Sequence, residues 1–95
     1  MIARIWRAEA ADVAGYHRIF QHDVIAELTA VDGFRGAWLL GSGREIRTIT
    51  LFDSLADVRR FAGEHHDTEH VSAAARAVLR RSDPVVRHFD VLVSH

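Results

Sequence analysis

The stretch Ile46–Gly63, IRTITLFDSLADVRRFAG, runs a strand directly into a helix, and it constrains the fold more than any other part of the chain. Ile46, Thr48, Thr50 and Phe52 alternate with Arg47, Ile49 and Leu51, and most of these are β-branched or aromatic residues suited to a pleated surface. Asp53-Ser54 turns the chain. Ser54 is a good N-cap, and Asp57 supplies the acidic half of a capping box. Val58, Phe61 and Ala62 follow at helical spacing, and Gly63 is placed to end the helix with a left-handed residue. A strand entering a helix in this way is half of a βαβ unit.

The flanking segments supply the other parts. Ile2–Ala8 reads as a strand. Asp12 is a candidate N-cap for a long helix whose apolar stripe is Val13, Tyr16, Phe20, Val24, Leu28 and Val31, with Gly33 as the residue that closes it. Phe34–Leu40 is a second strand, and Gly41-Ser42-Gly43 turns it back into the central strand. Val71, Ala75, Val78 and Leu79 mark a further helix ending near Arg81, Asp83-Pro84 makes a turn, and Val85–Val93 is the last strand.

The order β-α-β-β-α-β is that of a ferredoxin-like α+β fold with a four-stranded antiparallel sheet, its first and third strands central and both helices on one face. The strand alternation places Ala3, Ile5, Ile49, Leu51, Phe89 and Val91 beneath the helices. It leaves Arg4, Trp6, Thr48, Thr50, Phe52, His88 and Asp90 on the open face. An open face carrying Trp6 and Phe52 predicts a homodimer, with Trp6, Phe52, His88 and Asp90 at its interface.

A chain of 95 residues makes one domain, 1–95. At this size folding buries only roughly 60–65% of the unfolded chain's surface, so association is a natural source of further stability. There is no cysteine, which excludes disulfides and thiolate chemistry. The MIARIWRAEA start lacks a signal-peptide pattern and no apolar run suits a membrane span, so the expectation is a cytoplasmic protein without a membrane partner. The 12 basic residues are all arginine and scattered, and the net charge is −1, which gives no footprint for nucleic acid. The central strand also lacks the aromatic-glycine signature of an RNA-recognition motif. Seven histidines are the one compositional hint of chemistry.

Three segments together, FRGAWLL (Phe34–Leu40), TLFDSLADVRRFAGE (Thr50–Glu64) and VRHFDVL (Val86–Leu92), resemble the antibiotic-biosynthesis monooxygenase superfamily. The resemblance implies a dimeric α+β barrel, in which two ferredoxin-like sheets pack face to face. It also implies a ligand pocket between the sheet and helices of each subunit, here lined by Tyr16, Phe20 and Phe61, with His65, His66 or His70 nearby. The haem-degrading branch of that superfamily uses an asparagine on the first strand, a tryptophan and a haem-ligating histidine. In this chain Trp6 or Arg7 stands at the asparagine position and Phe61 at the tryptophan position, while His70 lies beside the histidine position.

The resemblance therefore points to a cofactor-independent monooxygenase-like oxidoreductase acting on an aromatic or polyketide-like small molecule. His65, His66 and His70 are the candidate bases, and Tyr16 or an arginine the donor that stabilises the resulting anion. The alternatives are a non-catalytic dimer of the same fold that binds a small molecule or haem, and an accessory protein defined by its dimer alone. The segment EHHDTEH (Glu64–His70) would set His66 and His70 one turn apart if helical, a spacing that can hold a metal. As a solvated loop it holds none, and that reading assigns no metal and no cofactor, with haem or a transition metal as the alternatives. His88 and Asp90 share a strand face, where they form either an acid/base pair or a polar interface contact.

Overall fold

The computed structural model describes residues 1–95. The elements are β1 (Ile2–Ala10), α1 (Val13–Ile19), a π-helical turn (Phe20–Val24), α2 (Ile25–Thr29), β2 (Phe34–Ser42), β3 (Glu45–Phe52), α3 (Leu55–Ala62), α4 (Ala73–Val78), β4 (Leu79–Ser82) and β5 (Arg87–Asp90). The sheet is antiparallel in the order β2-β3-β1-β4, with β5 also on β1. Its first and third strands are central, as the ferredoxin-like reading requires. No helix is long and apolar enough to cross a membrane.

The helix boundaries follow from local chemistry. The Asp12 carboxylate accepts from the Gly15 amide at 2.9 Å and starts α1. The Ser54 hydroxyl oxygen accepts from Asp57 N at 3.3 Å, while its hydrogen goes to the Asp57 carboxylate at 2.9 Å. Gly63, at φ 84°, ends α3 in a conformation that glycine adopts without strain. The first helix is not uniform: the Ile25 amide reaches back to the Phe20 carbonyl, one residue further than in an α-helix. Gly33 has no positive φ and so does not act as the left-handed cap; it is small because the Asp57 carboxylate lies against it.

Two expectations for the C-terminal third are corrected. Leu79 is not helical but begins β4, pairing with Ala10. The last strand is shorter than Val85–Val93, because the edge beside β1 is shared by β4 and β5 with a break between them. Pro84 sits in that break and has no N–H for the ladder. There the chain pairs with the preceding loop instead of β1: Glu69 N bonds the Pro84 carbonyl, Val86 N bonds the Asp67 carbonyl, and Thr68 bridges Val85. Leu92 and Val93 lie beyond the strand, 90% and 81% exposed.

The two sheet faces are the reverse of the expectation. Trp6, Ala8, Ala10, Ile46 and Phe52 lie beneath the helices, as do the buried Arg4 and Thr50. Ala8 and Ala10 let α1 approach closely, so Tyr16, Phe20 and Ala75 pack with Trp6 and Ile46 in one cluster. Leu28, Val31, Phe52 and Val58 form a second. Fully buried side chains such as Phe52, Leu28, Ile46 and Val58 each contribute about 1.5–3 kcal/mol. Trp6 and Phe52 are thus core residues rather than interface anchors. His88 is likewise turned inward, with a side chain 12% exposed, whereas Asp90 is exposed at the edge.

The open face carries the opposite parity: Ala3, Ile5 and Arg7 on β1 pair with Leu51, Ile49 and Arg47 on β3. Trp38 stands beside Ile49, and Phe89 beside Ala3. Trp38, Leu40 and Phe89 are 49%, 45% and 41% exposed. Arg7, Arg47 and Arg87 share this parity. Three charges at one parity are what keep that face from lying under the helices.

Candidate functional site

Between the sheet and the helices lies a small cavity of about 40 Å³. Tyr16, Phe20 and Val24 come to it from the first helix, Phe61 from α3 and His70 from the loop that follows. The sheet contributes Arg4, Trp6, Thr48 and Thr50. Trp6 stacks at 6.3 Å on Tyr16, which lies 6.4 Å from Phe20, so the aromatic wall is continuous. The π-helical turn inserts its extra residue between Phe20 and Val24, and both of those side chains reach the cavity. An adjoining cleft of about 120 Å³ shares Tyr16, Val24 and His70 and opens past Asp23 and Glu27. The larger depressions are open surface clefts; the largest two, about 490 and 460 Å³, are lined mainly by charged and small residues.

The structure brings Tyr16, Phe20, Phe61 and His70 together and separates the other two candidate bases. His70 sits at the boundary of cavity and cleft, its ring edge-on to Phe61 at 5.1 Å. Its Nε2 is 2.9 Å from a Glu27 carboxylate oxygen. That contact holds the ring in place at the cavity mouth. Burial pushes the Tyr16 hydroxyl up to about 12, so it stays a neutral O–H donor. His65 is exposed, and its carbonyl accepts from Thr68 in a turn. The segment Glu64–His70 is a loop, so His66 and His70 do not share a helix face.

His66 instead joins a second polar group beneath that loop. Its ring lies 5.2 Å from that of His88. Asp67 Oδ1 is 3.6 Å from His66 Nε2 and 3.4 Å from His88 Nδ1. The partner of His88 is therefore Asp67, not Asp90. Arg4 completes the group: its Nη1 donates to the His66 carbonyl at 2.5 Å and contacts His88 Nε2 at 3.2 Å. His66, Asp67 and His88 are close enough to share a metal ion. The donor chemistry does not fit one, because the Arg4 contact makes Nε2 the acceptor and leaves Nδ1 protonated toward Asp67. A buried guanidinium beside the ring also opposes a second cation. Burial first, then Arg4 and His66, hold the His88 imidazole below its ordinary 6.5 against the opposing pull of Asp67.

A porphyrin does not fit this site either. Sites for ligands of that size run to several hundred Å³, on the order of 300–1,000 Å³, whereas the Trp6–Tyr16–Phe20 stack fills this space to about 40 Å³. The only histidine at the cavity is already paired with Glu27.

Arg4, Trp6, Thr48, Thr50 and Glu27 were not among the sequence candidates for this pocket. Four of them stand on the strand parity assigned to the open face. Extending that parity to Ala8, Ala10 and Ile46 would have revealed the inversion. Glu27 carries no signal of its own; the fold alone brings it to His70.

No family model and no curated protein matches the chain. Solved structures do. SnoaB, a cofactor-independent oxygenase from Streptomyces nogalater, superposes with a TM-score of 0.72 at 17% identity, over 98% of this chain and 94% of that one. A variant of MhuD with two manganese protoporphyrin IX bound per active site gives 0.69 at 16%, over 100% and 98%. A candidate antibiotic biosynthesis monooxygenase from Chloroflexus aurantiacus J-10-fl gives 0.65 at 10%, over 99% and 95%. At these identities the likeness is one of fold, and at that level the resemblance drawn from the sequence holds.

Proposed function

We propose that this protein is a cofactor-independent monooxygenase-like enzyme acting on an aromatic small molecule. The observation that carries the reading is His70, held by Glu27 at the mouth of an aromatic-walled cavity with Tyr16 beside it. His70 takes a proton from an acidic position of the substrate, Glu27 stabilises the imidazolium, and Tyr16 donates to the oxyanion that forms. An electron-rich anion in a dry pocket is the species that reacts with oxygen directly. The fold is like that of SnoaB, itself described as a cofactor-independent oxygenase, and about equally like that of the porphyrin-bound MhuD, so the cofactor-free reading rests on the cavity rather than on the likeness.

The working unit in this reading is a homodimer closed through the open sheet face. Trp38, Leu40 and Phe89 are large, apolar and exposed there, alongside Ile5, Ile49 and Leu51. Several large apolar side chains exposed on one sheet face, interspersed here with Arg7, Arg47 and Arg87, mark a subunit interface more readily than a solvated surface.

The test is oxygen uptake with a panel of acidic monocyclic phenols, without added metal or haem. Uptake by the wild-type protein that falls about 10²-fold or more in His70→Ala is expected. Undiminished uptake in that variant removes His70 as the base. Binding without uptake across the panel leaves the non-catalytic binder.

A further inference from the structure

The reading of the cavity as a ligand site leaves one charge in it without a carboxylate in direct contact. Arg4 is 5% exposed, and no carboxylate of the protein lies within ion-pair distance of its guanidinium. Its two hydrogen-bond contacts, to the His66 carbonyl and His88 Nε2, both use Nη1. Nε and Nη2 bond to no protein group and keep some solvent access, and Arg4 lines the inner cavity. Phe61 covers the guanidinium at 5.8 Å. Burial lowers Arg4 to about 10, with Asp67 pulling the other way, so the group stays charged at neutral pH. A largely buried cation with accessible donors and no carboxylate in direct contact gains from any ligand that brings one.

We propose, on the basis of that reading, that the ligand is an aromatic acid whose carboxylate seats on the free edge of Arg4. The dimensions suit this division. The inner cavity of about 40 Å³ exceeds the roughly 10–15 Å³ that a single water needs but is too small for a ring, which is the scale of a carboxylate. The adjoining cleft of about 120 Å³ has room for a single aromatic ring against Tyr16, Val24 and Val71. His70 lines both spaces, so a ligand that spans them lies against its ring. Charge sets the direction of entry: Asp23 and Glu27 at the outer mouth repel a carboxylate, and Arg4 at the inner end attracts it. The Thr48 and Thr50 hydroxyls beside Arg4 complete a polar end. A neutral ligand leaves the guanidinium uncompensated and loses that discrimination.

Calorimetric titration of the wild-type protein with benzoate and with benzamide, its neutral isostere, tests the proposal. Benzoate is expected to bind at least about 10-fold more tightly, a difference of about 1.4 kcal/mol. Arg4→Gln is expected to erase that preference, and Arg59→Gln, exposed on α3, to keep it. Equal wild-type affinity for acid and amide overturns the assignment of Arg4 while the cavity remains a ligand site. Binding of neither overturns both. The wild-type comparison decides the matter even if Arg4→Gln fails to fold, and a preference that survives in a folded Arg4→Gln protein overturns the proposal too.

Discussion

The Arg4 guanidinium stands 3.2 Å from the Nε2 of His88, on the neighbouring strand directly across the register. Arginine can only donate, so the imidazole must accept at Nε2 and direct its own N–H toward Asp67. A buried arginine, a neutral histidine and an exposed carboxylate thereby form one chain under the Glu64–His70 loop. Protonating His88 would set two cations against each other.

Stability should therefore depend on pH through His88. The groups facing it are Arg4, His66 and Asp67, and the net effect with burial is a folded value below the ordinary 6.5. The unfolded chain then binds the proton first as pH falls. The contribution is complete above 6.5, diminishes as pH drops through 6.5 toward the lower folded value, and is constant below that. Urea midpoints compared between about pH 7.5 and about pH 5.5 should fall for the wild type and flatten in His88→Gln. Equal slopes for the two proteins would show that His88 is not the group responsible.

The two tryptophans should separate folding from association. Trp6 is 7% exposed, stacks on Tyr16, and donates its indole N–H to the Asp83 carbonyl at 2.7 Å. Trp6→Ala should cost about 3–5 kcal/mol of stability by equilibrium unfolding. Trp38 is 49% exposed on the open face and packs over Gly36. Trp38→Ala should leave the fold intact and weaken self-association by about 10-fold or more, read by sedimentation. A monomeric wild type, or an unchanged association constant in the variant, would remove the open face as the interface.

The element order was legible because each transition has a local cause. Asp12, Ser54 and Gly63 act where their chemistry says they should, and the stripe through Tyr16, Phe20, Leu28 and Val31 is buried. The faces were not legible from Ala3–Trp6 alone, where both parities carry apolar groups. Arg7, Arg47 and Arg87 on one parity and Ala8, Ala10 and Ile46 on the other decide the question. The resemblance places Tyr16, Phe20 and Phe61 in the pocket, and spacing does not separate His70 from His65 and His66. The choice among them rests on long-range contacts, His70 to Glu27 and His66 to His88, which no local pattern encodes. The π-helical turn is equally silent, since its extra residue falls within an unbroken helical stripe.

The sharpest test of the packing concerns Gly33 and Asp57. A Cβ added at Gly33 would fall on the Asp57 carboxylate. That carboxylate is not free to withdraw: it accepts from the Ser54 hydroxyl at 2.9 Å and from Arg60 at 2.7 Å, and Ser54 in turn caps α3. Gly33→Ala should therefore cost about 1–3 kcal/mol through overpacking, with the cap loosened along with it. The cause is checked by a double-mutant cycle in urea. Asp57→Ala removes the obstructing group, so Gly33→Ala should cost markedly less in that background, with a coupling of about 1 kcal/mol or more. If the two losses simply add, the glycine is required for some reason other than the Asp57 carboxylate.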